Sequence, residues 1–213
     1  MADCILVLDA GTTSTRAMVF ACDGTMEAVA QAELTQHYPR PGWVEHDAGE
    51  IWDKTLKCAR EVIGQDAARI AAIGITNQRE TVVAWDRNSG EPLARAIVWQ
   101  DRRTADFCGT MKADGHEVMV QKRTGLLLDP YFSGTKMRWM LDHDAAVQAA
   151  AQNGSLAFGT IESWLVYKLS GGAHISDASN ASRSLLLSLD GTQFDSDLCE
   201  LFGVPPAALP EVV

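Results

Sequence analysis

The segment Asp9-Ala10-Gly11-Thr12-Thr13-Ser14-Thr15-Arg16 gathers a carboxylate, a glycine, four hydroxyls and a cation in one short run. That set suits phosphate. Gly11 lets the backbone approach a ligand closely, while the amides and hydroxyls of Thr12, Thr13 and Ser14 can donate to phosphate oxygens. Arg16 adds charge-assisted donors, and Asp9 can hold Mg2+ through water. The same residues also describe a polar hairpin tip in which Asp9 only caps the turn.

A second polar run, Thr76-Asn77-Gln78-Arg79-Glu80-Thr81, lies between two apolar stretches. Polar residues in that position mark strand ends, where α/β sheets bind ligands, and Arg79 with Glu80 offers the donor and acceptor pair that a polyol needs. The competing reading is a mutual surface ion pair of Arg79 and Glu80. Trp99 closes the apolar run Ile97-Val98-Trp99 and offers either a platform for the carbon edges of a polyol or a core side chain. Tyr131, in Asp129-Pro130-Tyr131-Phe132-Ser133-Gly134-Thr135-Lys136, is a loop wedge or a hydroxyl donor.

Composition narrows the partners. Lys plus Arg number 18 against 28 Asp plus Glu, a net charge of −10, which disfavours nucleic acid. Arg102 and Arg103 are too few for a phosphate-tracking surface and are expected to be solvated or salt-bridged. The five cysteines and five histidines are scattered without ligand spacing, so reduced thiols and no zinc are expected. Met1 to Leu8 lacks a basic leader and Asp9 ends its apolar run early; no later run reaches the ~18 apolar residues of a membrane span. A cytoplasmic protein with no membrane partner follows as the expectation.

The elements that must position these groups are readable from pattern. Ile5–Leu8 and Ala17–Phe20 predict a β-hairpin, extended by a third strand from Glu27 to Leu34 after the Asp23-Gly24 turn. Asp47 with Glu50 three residues on predicts a reciprocally capped helix from Ala48 to Ile63, with Ile51, Trp52, Leu56, Ala59, Val62 and Ile63 facing the sheet. Ile70–Ile75 then predicts a buried parallel strand reached by this crossover. Thr81–Trp85 and Ala96–Trp99 predict further strands. Helices follow near Ser133–Leu141, through Ala145–Ala151, and at Thr160–Leu169 with Ile161, Trp164, Leu165 and Leu169 as its apolar stripe; Ser184–Leu189 reads as strand. The whole is an α/β chain with a mixed sheet and flanking helices. The length suits one large domain or one and a half.

Taken together and in order, Asp9–Arg16, Pro41-Gly42-Trp43-Val44-Glu45-His46-Asp47, Thr76–Thr81, Ile97–Gln100 and Asp129–Lys136 resemble the glycerol kinases of the carbohydrate-kinase family. Asn180-Ala181-Ser182-Arg183 and Leu209-Pro210-Glu211-Val212 fit the same pattern, so the resemblance spans nearly the whole chain. The first motif is shared with the wider family; the Arg79-Glu80 and Tyr131 segments point to glycerol. The resemblance implies an actin/hexokinase-like, ribonuclease H-like ATPase domain over residues 1–213, incomplete, with ATP and Mg2+ as cofactors. Thr12, Thr13, Ser14 and Arg16 would meet the nucleotide phosphates and Asp9 the metal. Arg79, Glu80 and Tyr131 would hydrogen-bond glycerol, with Trp99 against its carbons.

Ala10 departs from the family, where a larger polar residue is common; flanking the turn, it is expected to be tolerated. The resemblance also places the general base and the second, adenine-binding domain beyond residue 213, and it implies a homo-oligomeric full-length enzyme. An amino-terminal fragment, inactive alone, is therefore expected, and the plain Val212-Val213 ending agrees with truncation. The alternatives are another polyol or sugar kinase of the same family, or a non-catalytic nucleotide- or polyol-binding module.

Overall fold

The computed structural model describes residues 3–213, which divide into two compact units: residues 3–36 with 46–78, and residues 37–45 with 79–213. In chain order, β1 (Cys4–Ala10), β2 (Ser14–Ala21), β3 (Met26–Glu33) and β4 (Glu45–His46) precede α1 (Ala48–Ile63). Then come β5 (Ile70–Asn77), β6 (Val83–Asp86), β7 (Ala96–Ile97), α2 (Ala105–Ala113), α3 (Glu117–Thr124), α4 (Ser133–His143) and α5 (Ala145–Asn153). The last stretch holds β8 (Leu156–Gly159), α6 (Ile161–Ser170), β9 (Ile175–Ser176), α7 (Ala178–Ala181), α8 (Ser196–Phe202) and β10 (Glu211–Val212). Among the described residues no helix is long and apolar enough to cross a membrane.

The first unit is a four-stranded sheet in the order β3-β2-β1-β5, with β1 antiparallel to β2 and parallel to β5. Alternation along β1 sends Cys4, Leu6 and Leu8 to one face, where they meet Ala17, Val19 and Ala30 from the neighbouring strands and Cys58 and Ala59 from α1. Asp47 caps α1 by accepting from the Glu50 amide at 3.0 Å. The capping is one-sided. Instead of returning to the cap, the Glu50 carboxylate accepts from the Thr35 hydroxyl at 2.8 Å and from Lys54 at 2.6 Å.

Two other expectations need correction here. The buried stripe of α1 runs through Ala48, Ile51, Thr55, Cys58 and Ala59, leaving Trp52 and Leu56 half-buried, because Thr55 is drawn inward by a 2.7 Å bond to the Thr15 hydroxyl. Strand β5 is not buried: it is the outermost strand of its sheet, α1 lies across β1, β2 and β3, and Ile73 stays 48% exposed.

The second unit is mostly helical around one large core. Val82, Ala84 and Ile97 meet Leu156 and Phe158 of β8, which pairs antiparallel with β6, and Met137, Met140, Val147, Leu198 and Phe202 close over them. Helix α6 buries Ile161, Trp164 and Leu165, but Leu169, at its last turn, is 38% exposed. Residues 184–189 form no strand. Leu185 sits at φ 68, and only an isolated bridge from Leu187 to Phe194 remains, so Leu185 and Leu186 fill the core from irregular backbone. All five cysteines are free thiols; Cys22 is exposed, and the other four are buried. Burial pushes the Cys108 and Cys199 thiols up to about 11.

Two titrating groups of this unit, Glu162 buried and His174 half-buried, act in opposite senses. His174 meets the Phe158 carbonyl at 2.8 Å and the Trp85 ring edge-on at 5.0 Å, and burial pulls it from 6.5 down to about 4. It must stay neutral to remain folded in, so its contribution is lost as pH falls from 6.5 towards 4. Glu162, accepting from the Ser176 hydroxyl at 3.0 Å, is raised by burial from 4.5 to about 7. Its contribution is present below 4.5 and lost as pH rises through about 7. Melting experiments should separate the two. Relative to wild type, His174→Gln should gain stability as pH drops below 6.5, by on the order of 2 kcal/mol after screening, whereas Glu162→Gln should gain as pH rises towards 7. Parallel pH profiles for all three proteins would refute this.

Candidate functional site

In the first unit, the turn between β1 and β2 carries Asp9, Thr12, Thr13, Ser14 and Arg16. The Gly11 amide donates to the Ser14 carbonyl at 3.0 Å, and a Cβ on Gly11 would stand 3.0 Å from that same oxygen, so a side chain there would force the turn open. Thr13 and Arg16 are exposed and Thr12 is half-buried, while Ser14 is 8% exposed. Thr15 leaves the group altogether: its hydroxyl points into the core against Thr55. Asp9 and Arg16 oppose one another across the antiparallel ladder, 3.7 Å apart, and Arg16 Nε also donates to Gln31 at 3.2 Å.

Two residues brace this turn that spacing alone did not reveal. Gln78 donates its backbone amide to the Ala10 carbonyl at 3.0 Å and its side-chain amide to the Gly11 carbonyl at 3.2 Å. That side chain also meets His46 Nδ1 at 3.1 Å, with His46 only 1% exposed. The parallel register that sets Asn77 beside Ala10 delivers Gln78 to the turn. Gln78 thus parts company with Arg79 and Glu80, which belong to the second unit.

There, Glu80 is 3% exposed, and it does not pair with its neighbour Arg79. Its carboxylate accepts from Arg183 Nε at 2.8 Å, across 103 positions of sequence, and its carbonyl accepts from the Ser133 hydroxyl at 3.2 Å at the start of α4. Arg79 is exposed and makes no ion pair with another described residue. The Arg183 guanidinium lies 4.9 Å from the Phe132 ring and 5.8 Å from that of Tyr131, and Tyr131 meets Trp99 edge-on at 5.6 Å. Trp99 is half-buried, its amide bonded to Thr81 Oγ1 at 3.1 Å. Glu80, Trp99 and Tyr131 are therefore brought together, with Arg183 as the group that joins them.

The turn bearing Tyr131 is held from two sides. The Tyr131 amide and Arg102 both donate to Asp129 Oδ1 at 2.9 Å. Lys136, 0% exposed, donates to the carbonyls of Pro130, Tyr131 and Phe132 at 2.7, 2.6 and 3.0 Å. Burial pulls Lys136 down to about 7, opposed by the Asp101 and Glu80 carboxylates. Arg103 is no surface cation. Its side chain is 2% exposed, bonded to Asp101 and Glu45 at 2.8 Å, with its guanidinium 3.8 Å from the Trp43 ring centre and 4.6 Å from that of Trp139.

The second unit thus presents an acceptor, aromatic carbon surface and the exposed cation Arg79; the first presents hydroxyls, a tight glycine turn and Arg16. An alcohol and a phosphate are the chemistries that these two sets suit. The α/β domain that carries them has the actin/hexokinase-like fold. The chain belongs to the FGGY family of carbohydrate kinases, whose N-terminal domain it matches over residues 4–213. It is 55% identical to glycerol kinases from Dechloromonas aromatica and Rhodospirillum rubrum, over 98% of this chain but only 42% and 43% of those proteins. The chain therefore spans less than half the length of the curated relatives it matches. Among solved structures, Plasmodium falciparum glycerol kinase with ADP superposes with a TM-score of 0.92 at 32% identity, over 98% of this chain and 42% of that one. Gluconate kinase from Lactobacillus acidophilus gives 0.88 at 21% identity over 99% and 42%, a likeness of fold alone.

The Glu80–Arg183 pair has a measurable worth. Arg183→Ala strands a carboxylate that is 4% exposed, and urea unfolding should show a loss of about 3 kcal/mol. Adding Glu80→Gln to that variant should recover part of the loss; a double variant no more stable than Arg183→Ala would mean that the pair is not what the guanidinium contributes.

Proposed function

We propose that this chain is the amino-terminal part of a cytoplasmic, ATP-dependent glycerol kinase, homo-oligomeric at full length, that makes glycerol 3-phosphate. The observation that carries the reading is the joined set Glu80–Arg183–Tyr131–Trp99, with the exposed Arg79 next to Glu80 in the chain. Glu80 accepts from a glycerol hydroxyl, Arg79 and the Tyr131 hydroxyl donate, and Trp99 covers the carbon edge. The 55% identity to glycerol kinases supports this acceptor over a larger sugar.

Thr12, Thr13, Ser14 and Arg16 hold nucleotide phosphates. Asp9, half-buried and paired only loosely with Arg16, suits a hydrated Mg2+ shared with phosphate oxygens, since Mg2+ sites commonly combine one or two carboxylates with water and substrate phosphates. When bound, the ion neutralises phosphate charge; the protein's own part is to orient the hydroxyl and the phosphate in line. We assign the general base to none of residues 3–213 and place it, with the adenine site, in the further length that the relatives have.

The test is glycerol-dependent ADP release with Mg2+-ATP, by this chain and by the full coding sequence. Turnover is expected only from the longer protein, and Arg79→Ala there should lower kcat/KM for glycerol on the order of 100-fold. A full-length enzyme that ignores glycerol but accepts another polyol would overturn the acceptor and leave the phosphate assignments standing. One that binds nucleotide or polyol without turnover would be a binding module.

A further inference from the structure

We propose that Lys136 is a positioning residue for the acceptor alcohol, its ammonium fixing the turn that carries Tyr131; this rests on the reading of Tyr131 as a substrate contact. The ammonium has three donors, and three consecutive carbonyls, those of Pro130, Tyr131 and Phe132, converge on it at 2.6–3.0 Å. Consecutive carbonyls along a chain point apart unless the backbone wraps around a common partner, so the local path of the turn is set by where that nitrogen stands.

The partner belongs to α4, and α4 has independent anchors: Met137 and Met140 pack in the core, and the Ser133 hydroxyl bonds to Glu80. The helix can stand without the cation. The turn cannot keep its path, because three carbonyls, those of Pro130 and Phe132 buried and that of Tyr131 partly so, would lose their donor together. On its outer side the turn is held by Asp129, whose Oδ1 takes the Tyr131 amide and Arg102. Between these two clamps the ring of Tyr131 has one place to go, edge-on to Trp99 and within reach of Arg183. Lys136 therefore acts through Tyr131 and touches no substrate.

The experiment uses the full-length enzyme and varies glycerol and ATP separately. Lys136→Met keeps the buried methylenes and removes the charge. Its KM for glycerol should rise at least ~10-fold, with KM for ATP within about 2-fold and kcat within a few-fold. Combined with Tyr131→Phe, the two effects should be markedly less than multiplicative, as expected for residues acting through one contact. An unchanged glycerol KM, equal rises in both KM values, or fully multiplicative effects would overturn the proposal.

If Lys136→Met does not fold, Asp129→Ala replaces it, since that side chain is 39% exposed and loosens the same turn from outside. A several-fold rise confined to glycerol KM supports the proposal, and no change refutes it. Should wild type prefer a different alcohol, the same comparison is made with that alcohol: the acceptor reading then fails, while the role of Lys136 still stands or falls on the ratio of the two KM effects.

Discussion

A positive charge sealed inside the second unit constrains most of what surrounds it. Burying an ammonium is costly unless every donor is met, and Lys136 meets the requirement with main-chain carbonyls where an ion pair would be the usual answer. A lysine suits this place better than an arginine: a compact charge with three donors fits a converging set of carbonyls, and a planar fork does not. The carboxylates of Asp101 and Glu80 lie in its field, and each is committed to an arginine of its own, Arg103 and Arg183. The second unit is thus organised around buried charges satisfied one by one, with aromatic rings packed over the guanidinium groups.

The first unit works by a different constraint, the register of its strands. Pairing β1 with β5 in parallel brings residues some sixty-seven positions apart into contact, which is how the Gln78 side chain reaches the Gly11 carbonyl. A slip of one residue would turn Gln78 to the opposite face and leave the glycine turn unsupported. Helix α1 covers β1 and its antiparallel neighbours, burying Cys58 and Ala59 against them.

Elements governed by local pattern were legible in the sequence. The opening strands and α1 show themselves through short apolar runs, the Asp23-Gly24 turn and the Asp47 cap, all features of a few adjacent residues. Features that depend on distant partners were not. Nothing near Ile70–Ile75 says that its strand lies at the edge of the sheet, and nothing near Ser184–Leu189 distinguishes a core-filling irregular segment from a strand, since both are apolar runs. The same limit applies to the site. Glu80 is visible beside Arg79, but its true partner, Arg183, is chosen by the packing of α4 and the segment after α7. Lys136 closes the Asp129–Lys136 motif, yet a lysine in an amphipathic helix gives no sign that it is fully buried until the turn before it is seen to fold back.

The placement of the cysteines gives the chain an internal clock for its own opening. Cys4 and Cys58 are sealed in the core of the first unit, Cys199 lies in that of the second and Cys108 is buried in the same unit, while Cys22 is open to reagent from the start. Once Cys22 is blocked, a thiol reagent can advance only when a core breathes, and mass spectrometry of the labelled peptides tells which one did. The two units need not loosen at the same rate. Their four silent thiols record the order without a single engineered probe.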